Sequence, residues 1–204
     1  MATAPNQVES PPLLLHLHPA IQMTEDQFFD FCRINRDLRI ERTARGDIVI
    51  MTPAGGGTGA RNSELNLQLM LWAKKDGRGV AFDSSTGFTL PNGATRSPDA
   101  AWVQHVRLTS LTTEQKEKFL PLCPEFVVEL RSPPDPLSML QEKMQEYIDN
   151  GTQLGWLIDP TGRKVYVYRP GADVEYLLSP TEVSADPILS GFVLSLVEIW
   201  ETKF

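Results

Sequence analysis

Cysteine is nearly absent. The chain has two, Cys32 and Cys123, far apart and without CxxC spacing. That argues against a disulfide framework or a cysteine-built zinc site and leaves both as small core residues. Histidine is almost as sparse: there are three, two of them in the HLH at 16–18. That segment reads as a tail, where no metal role is expected. Long apolar runs are missing. No stretch approaches the ~18 residues of a membrane span, and MATAPNQVESPPLLLHLHPA lacks the basic start and sustained apolar core of a signal peptide. A cytoplasmic, reducing location away from membranes is the expectation. Net positive charge is missing as well, the formal charge being −7. This argues against a broad basic face that holds nucleic acid by charge alone, but not against a local basic groove or a metal site.

Material for a core is present: 41% of the 204 residues are hydrophobic and 22% charged, enough for one sizeable globular domain. Residues 1–20 read as a tail or edge segment and 21–204 as that domain. TEDQFFDFCRIN opens with a capping box, Thr24 with Gln27, and sets Phe28, Phe31 and Cys32 on one helical face. LRIER, ARGD and IVIM read as a hairpin. TPAGGGTGARN, with four glycines, is expected to be a loop. SELNLQLMLWAKKDG follows as a helix of about three turns, capped by Asn62 or Ser63 and ended by Gly77. GVAFD, TGFTL, PDAAWV, PEFVVELR, LGWLID, KVYVYR, VEYLL and GFVLSL read as strands, and TTEQKEKF as a short polar helix. DPLSMLQEKMQEYIDNG is an amphipathic helix with Leu137, Leu140, Met144, Tyr147 and Ile148 on its apolar face. It joins two apolar strands, EFVVEL and LGWLI, which are therefore expected to run parallel. The fold class is α/β or α+β, with a central mixed sheet flanked by helices.

Two acids interrupt apolar strands. Asp99 follows Pro98 at the start of SPDAAWVQ, and Glu129 sits inside CPEFVVELRSP. Burying a carboxylate costs several kcal/mol unless a cation or donor meets it. Strand alternation puts Phe126 and Val128 on one face and Val127 and Glu129 on the other. On the following helix, at ~100° per residue, Lys143 lies at the margin of the apolar face and can lean toward Glu129. Glu64 could add a third carboxylate. Carboxylates beside a lysine suit Mg²⁺, which takes few carboxylates and keeps several waters. A phosphodiester would complete the shell, polarised by the metal.

The segments SPDAAWV, PEFVVELRSP and QEKMQEYIDNGTQLGWLIDP resemble the Uma-two family of restriction-endonuclease-like proteins, abundant in cyanobacteria and part of the PD-(D/E)XK nuclease superfamily. The resemblance runs from about Thr24 to about Leu196. It implies a restriction-endonuclease-like fold and a metal-dependent endonuclease cutting DNA, with duplex substrate and a homodimer as expectations. It assigns Asp99 and Glu129 to Mg²⁺ or Mn²⁺. The superfamily lysine would stand two residues after the glutamate, where this chain has Arg131, and an arginine cannot deprotonate to activate water. The family's lysine moves to the next helix, which here means Lys143. Arg131 then becomes a phosphate contact or a structural ion-pair partner.

Each residue also has a plainer reading. Asp99 could cap a turn, and Glu129 could pair with Arg131 or Lys143. Lys143 could be an exposed lysine paired with Glu142 or Glu146, and Glu64 could be an acid favoured near a helix start. GGGTGARN lacks the lysine ending of a nucleotide-binding loop and is expected to be a loop near the cleft, with Arg61 available for a phosphate. The competing functional reading is a nuclease-fold module, weakly active or inactive, that binds nucleic acid or protein.

Overall fold

The computed structural model describes residues 12–203. In chain order the elements are β1 (Leu13–Leu15), α1 (Glu25–Ile34), β2 (Arg39–Arg42), β3 (Ile48–Met51), α2 (Gly56–Asp76), β4 (Gly79–Asp83), β5 (Phe88–Thr89), β6 (Thr95–Arg96) and β7 (Ala100–Gln104). Then come α3 (His105–Thr109), α4 (Thr113–Lys116), β8 (Phe126–Leu130), α5 (Leu137–Asp149), β9 (Leu154–Asp159), β10 (Lys164–Tyr168), β11 (Glu175–Leu178), β12 (Glu182–Ser184), β13 (Val193–Ser195) and α6 (Val197–Trp200).

The central sheet has the order β11-β10-β9-β8-β7-β4. Its β8–β9 pair is parallel, joined across α5, and its other pairs are antiparallel. A strand that must return in the same direction needs a crossover, and α5 supplies it. A second sheet, β1-β3-β2-β6-β5, is antiparallel throughout, and β12 pairs with β13. The second sheet was not legible as a separate unit in the strand pattern. Within the segment read as tail or edge, Leu13–Leu15 pair with Ile48–Ile50 as an edge strand; residues 1–11 lie outside the described residues.

Alternation along β7 and β8 splits the core into two faces. Trp102, Phe126, Val128, Leu130 and Trp156 pack with Leu65 and Leu69 of α2. Ala101, Val103, Val127 and Leu157 pack with Met144 and Tyr147 of α5. Gly155 in β9 lets α5 approach: a Cβ there would collide with the Met144 side chain. The capping box of Thr24 and Gln27 is formed.

One local expectation is overturned. The glycine-rich stretch is helical: α2 starts at Gly56, runs for 21 residues and ends against the left-handed Gly77. Glycine weakens a helix interior by ~1 kcal/mol relative to alanine, but packing decides here. Leu65, Leu69 and Ala73 are buried along the helix, and Arg61 fastens its early turns by donating from Nε to the Ile199 carbonyl at 2.8 Å. The cap is therefore Gly55, not Asn62 or Ser63, and Glu64 falls in the third turn rather than the first.

Candidate active site

Asp99 lies at the junction of the two sheets, between β6 and β7. The β7–β8 ladder is formed from Ala100 to Trp102, and Pro98 has no N–H with which to extend it. Beyond its end the Asp99 carboxylate accepts the Leu130 N–H on Oδ2 at 2.8 Å. Arg39 of β2 approaches Oδ1 at 3.4 Å and donates to the Ser97 carbonyl at 2.9 Å. Asn66 of α2 pins the Asp99 carbonyl at 2.9 Å. Ala100 pairs with Val128, so one step outward Asp99 stands opposite Glu129. Both belong to the face that carries Ala101, Val103 and Val127, the face covered by α5.

Lys143 reaches this face from α5. Its Nζ is 2.8 Å from Glu129 Oε1 and 2.8 Å from Glu41 Oε1, with the lysine side chain 11% exposed. One helical turn on, Tyr147 donates its hydroxyl to Glu129 Oε1 at 3.0 Å; residues at i and i+4 share a helix face. Glu41 is fastened by the Ser97 N–H at 2.8 Å and by Arg96 at 3.2 Å, and Arg96 bonds Glu146 at 2.6 Å.

These contacts drive two buried carboxyls apart. Burial opposes the Glu41 charge, but Lys143, Arg96 and the Ser97 N–H outweigh it and hold the group down at about 2. Burial pushes Glu129 up to about 7; Lys143 resists, while the negative charges of Asp99 and Glu41 add to the rise. Lys143 is raised: burial disfavours its charge, but Glu129 and Glu41 prevail. Asp135 is raised as well, by burial and by Asp99.

The cluster opens on a cleft of about 630 Å³ between the second sheet, the start of α2 and the start of α5. Seven carboxylates and four Lys or Arg side chains line it. The surplus is acidic, as expected of a site that holds a cation and unlike a groove that binds phosphates by charge alone.

Among the sequence-derived candidates, Asp99, Glu129 and Lys143 come together. Glu64 does not: it accepts from Gln68 at 2.8 Å, and Gln68 reaches the Ser195 carbonyl at 3.1 Å, so the acid faces the C-terminal strand and not the cleft. Arg61, bound to the Ile199 carbonyl, lies outside the cleft lining. Arg131 is an ion-pair partner, 3.1 Å from Asp159, and donates to the Asp135 carbonyl at 3.0 Å. Lys143 pairs with neither Glu142 nor Glu146 but with Glu129 and Glu41. Sequence reading missed Glu41, Tyr147, Arg39 and Asp135. The available signal was the RIER strand, where Arg39 and Glu41 share the face opposite buried Ile40.

The donor set fits a hard divalent ion. Among the described residues no three Asp, Glu, His or Cys side chains form a ready cage. Two carboxylates with waters and a phosphate oxygen in the remaining positions match the way Mg²⁺ is usually bound. A cation would also offset the crowding of negative charge that raises Glu129.

The Uma2 family profile, described as "Putative restriction endonuclease", matches residues 25–197. No curated protein matches the chain. A solved structure from Anabaena variabilis, described as "a putative nuclease belonging to DUF820", is similar at 24% identity and a TM-score of 0.71, covering 88% of this chain and 98% of that one. At that identity the likeness speaks for the fold alone, and the family adds support for a nuclease-like function. Since the profile spans most of its length, the chain belongs to the Uma2 family.

Proposed function

We propose that the chain is a metal-dependent endonuclease that hydrolyses DNA phosphodiester bonds, with Asp99 and Glu129 holding Mg²⁺ or Mn²⁺ and Lys143 beside them. The observation that carries this reading is the opposition of Asp99 and Glu129 across β7 and β8, with Lys143 Nζ 2.8 Å from Glu129. Bound there, the ion supplies positive charge to a phosphate oxygen and lowers the pKa of a water. The chain's residues do the rest. Leu130 N–H fixes one oxygen of Asp99, and Tyr147 orients Glu129. The Lys143 ammonium, kept charged by its two carboxylate partners, is placed to offset negative charge that grows on the phosphoryl oxygens in the transition state. The cleft's surplus of acids repels a bare phosphodiester, which accords with a cation requirement. Arg61, Arg131 and Glu64 have no part in this reading. Duplex DNA as substrate and a homodimer as the working unit belong to the proposal.

The test is nicking of plasmid and oligonucleotide duplexes with Mg²⁺, Mn²⁺ or chelator, beside Asp99→Ala and Glu129→Ala. Loss of cleavage with chelator and a drop of about 10³-fold in both variants, with circular dichroism unchanged, is the expected result. Full activity in both variants would sink the proposal. Absence of both cleavage and Mn²⁺ binding by calorimetry in the wild type favours the non-catalytic module.

A further inference from the structure

Glu41 comes from β2 of the second sheet, whereas Glu129 and Lys143, which it faces, belong to β8 of the central sheet and to its crossover helix α5. It is 2% exposed. Its Oε1 meets Lys143 Nζ at 2.8 Å, the same distance that separates Nζ from Glu129 Oε1. Two carboxylates thus hold one ammonium, and their situations differ. Glu129 Oε1, the oxygen that meets Lys143, is held besides by the Tyr147 hydroxyl alone among the described residues. Glu41 is fastened twice more, by Arg96 of β6 and by the N–H of Ser97 just beyond that strand. Arg96 is in turn held by Glu146 at 2.6 Å.

If Glu129 gives its oxygens to a metal, Lys143 loses one of its two partners. A lysine has four rotatable bonds and gains side-chain entropy when released. It then leaves the cleft unless the other partner keeps it. A buried ion pair stabilises a fold poorly compared with apolar packing, so joining the sheets does not by itself account for Glu41. We propose that Glu41 is a positioning residue, which keeps the Lys143 ammonium in the cleft once Glu129 has turned to a divalent ion. This rests on the metal-dependent reading above.

The test compares wild type, Glu41→Gln, Lys143→Met and the double variant in steady-state cleavage of an oligonucleotide duplex. Glu41→Gln is expected to lower kcat about 10²-fold and to leave KM and the calorimetric Mn²⁺ Kd within about threefold. The double variant is expected to match Lys143→Met within about twofold, because a residue acting through Lys143 has nothing further to lose. Losses that add would show that Glu41 acts independently of Lys143. An independent readout is acetylation of Lys143 by an amine-reactive ester, followed by mass spectrometry. With Mn²⁺ present, Lys143 of the wild type should stay protected and that of Glu41→Gln should react at least about tenfold faster, the mark of a lysine no longer held by charge-assisted bonds.

Unchanged kcat, additive losses or unchanged labelling each overturn the role of Glu41. If Glu41→Gln does not fold, Glu41→Asp keeps the charge with a shorter reach; faster labelling is again expected, and unchanged labelling and kcat overturn the proposal. A wild type that binds Mn²⁺ without cleaving sinks the nuclease reading and leaves the labelling to decide on Glu41. A wild type that binds no Mn²⁺ overturns both.

Discussion

Strand β8 presents two unlike faces. Toward α2, Phe126 meets Trp156 edge-on at 4.9 Å, and Trp156 stacks on Phe192 at 6.0 Å. Toward α5, Val127 is followed by Glu129, which meets a lysine and a tyrosine hydroxyl instead of carbon. Both faces are buried, but to opposite ends. The first removes aromatic surface from water at ~25 cal/mol per Å² and has no charge to satisfy. The second gives up part of that gain to keep three acids and their cations in a small volume. Stability and chemistry are thus divided across one sheet, separated by the alternation of a single strand.

The comparison can be broken first on its dry side. Trp156→Ala should cost about 3–5 kcal/mol of stability, read from the urea midpoint. Mn²⁺ affinity per folded molecule should stay at the wild-type value. A large loss of metal affinity without a loss of stability would show that the two faces are not separate.

A smaller effect is expected on the charged side, as a pH dependence. The folded Glu129 carboxyl titrates at about 7, above the ordinary value of 4.5. Between those values the folded state binds more protons than the unfolded one, so this group's contribution to stability falls as pH rises through that window and is flat outside it. Glu41 is depressed from 4.5 to about 2; its contribution is present above pH 4.5 and is lost as pH falls toward 2. Urea midpoints of wild type and Glu129→Gln from pH 4.5 to 8 check the first sign. The wild type should lose stability relative to the variant as pH rises, and a constant difference would refute the assignment. Metal affinity should run the other way, rising with pH until Glu129 is ionised, because the metal competes with its proton.

The smallest effect is expected away from both faces. Glu64→Gln, on the side of α2 that faces β13, should change stability by no more than about 0.5 kcal/mol and leave cleavage untouched. A marked loss of cleavage would return Glu64 to the site.

Much of the fold was legible because it is local. The capping box at Thr24, the hairpin of β2 and β3 and the amphipathic α5 follow from spacing within a few residues, and the parallel β8–β9 pair follows from the one helix that joins its strands. The Asp99, Glu129 and Lys143 grouping was legible for the same reason, since strand alternation and helical angle set where each side chain points. The glycine-rich start of α2 was not, because Arg61 finds its partner at Ile199, 138 residues away, and the buried leucines pack on strands that come later in the chain. Arg131 was open between a phosphate and an ion pair, and only the return of β9 to Asp159 chose the pair.

By itself the sequence determined where carboxylates interrupt apolar strands and which face of each element they take, because a period of two or 3.6 residues is a property of the chain alone. Only the tertiary structure decided their partners. Glu41 and Lys143 lie 102 residues apart and meet because two sheets close over one cleft. No periodicity encodes that distance; the packing of the whole molecule does.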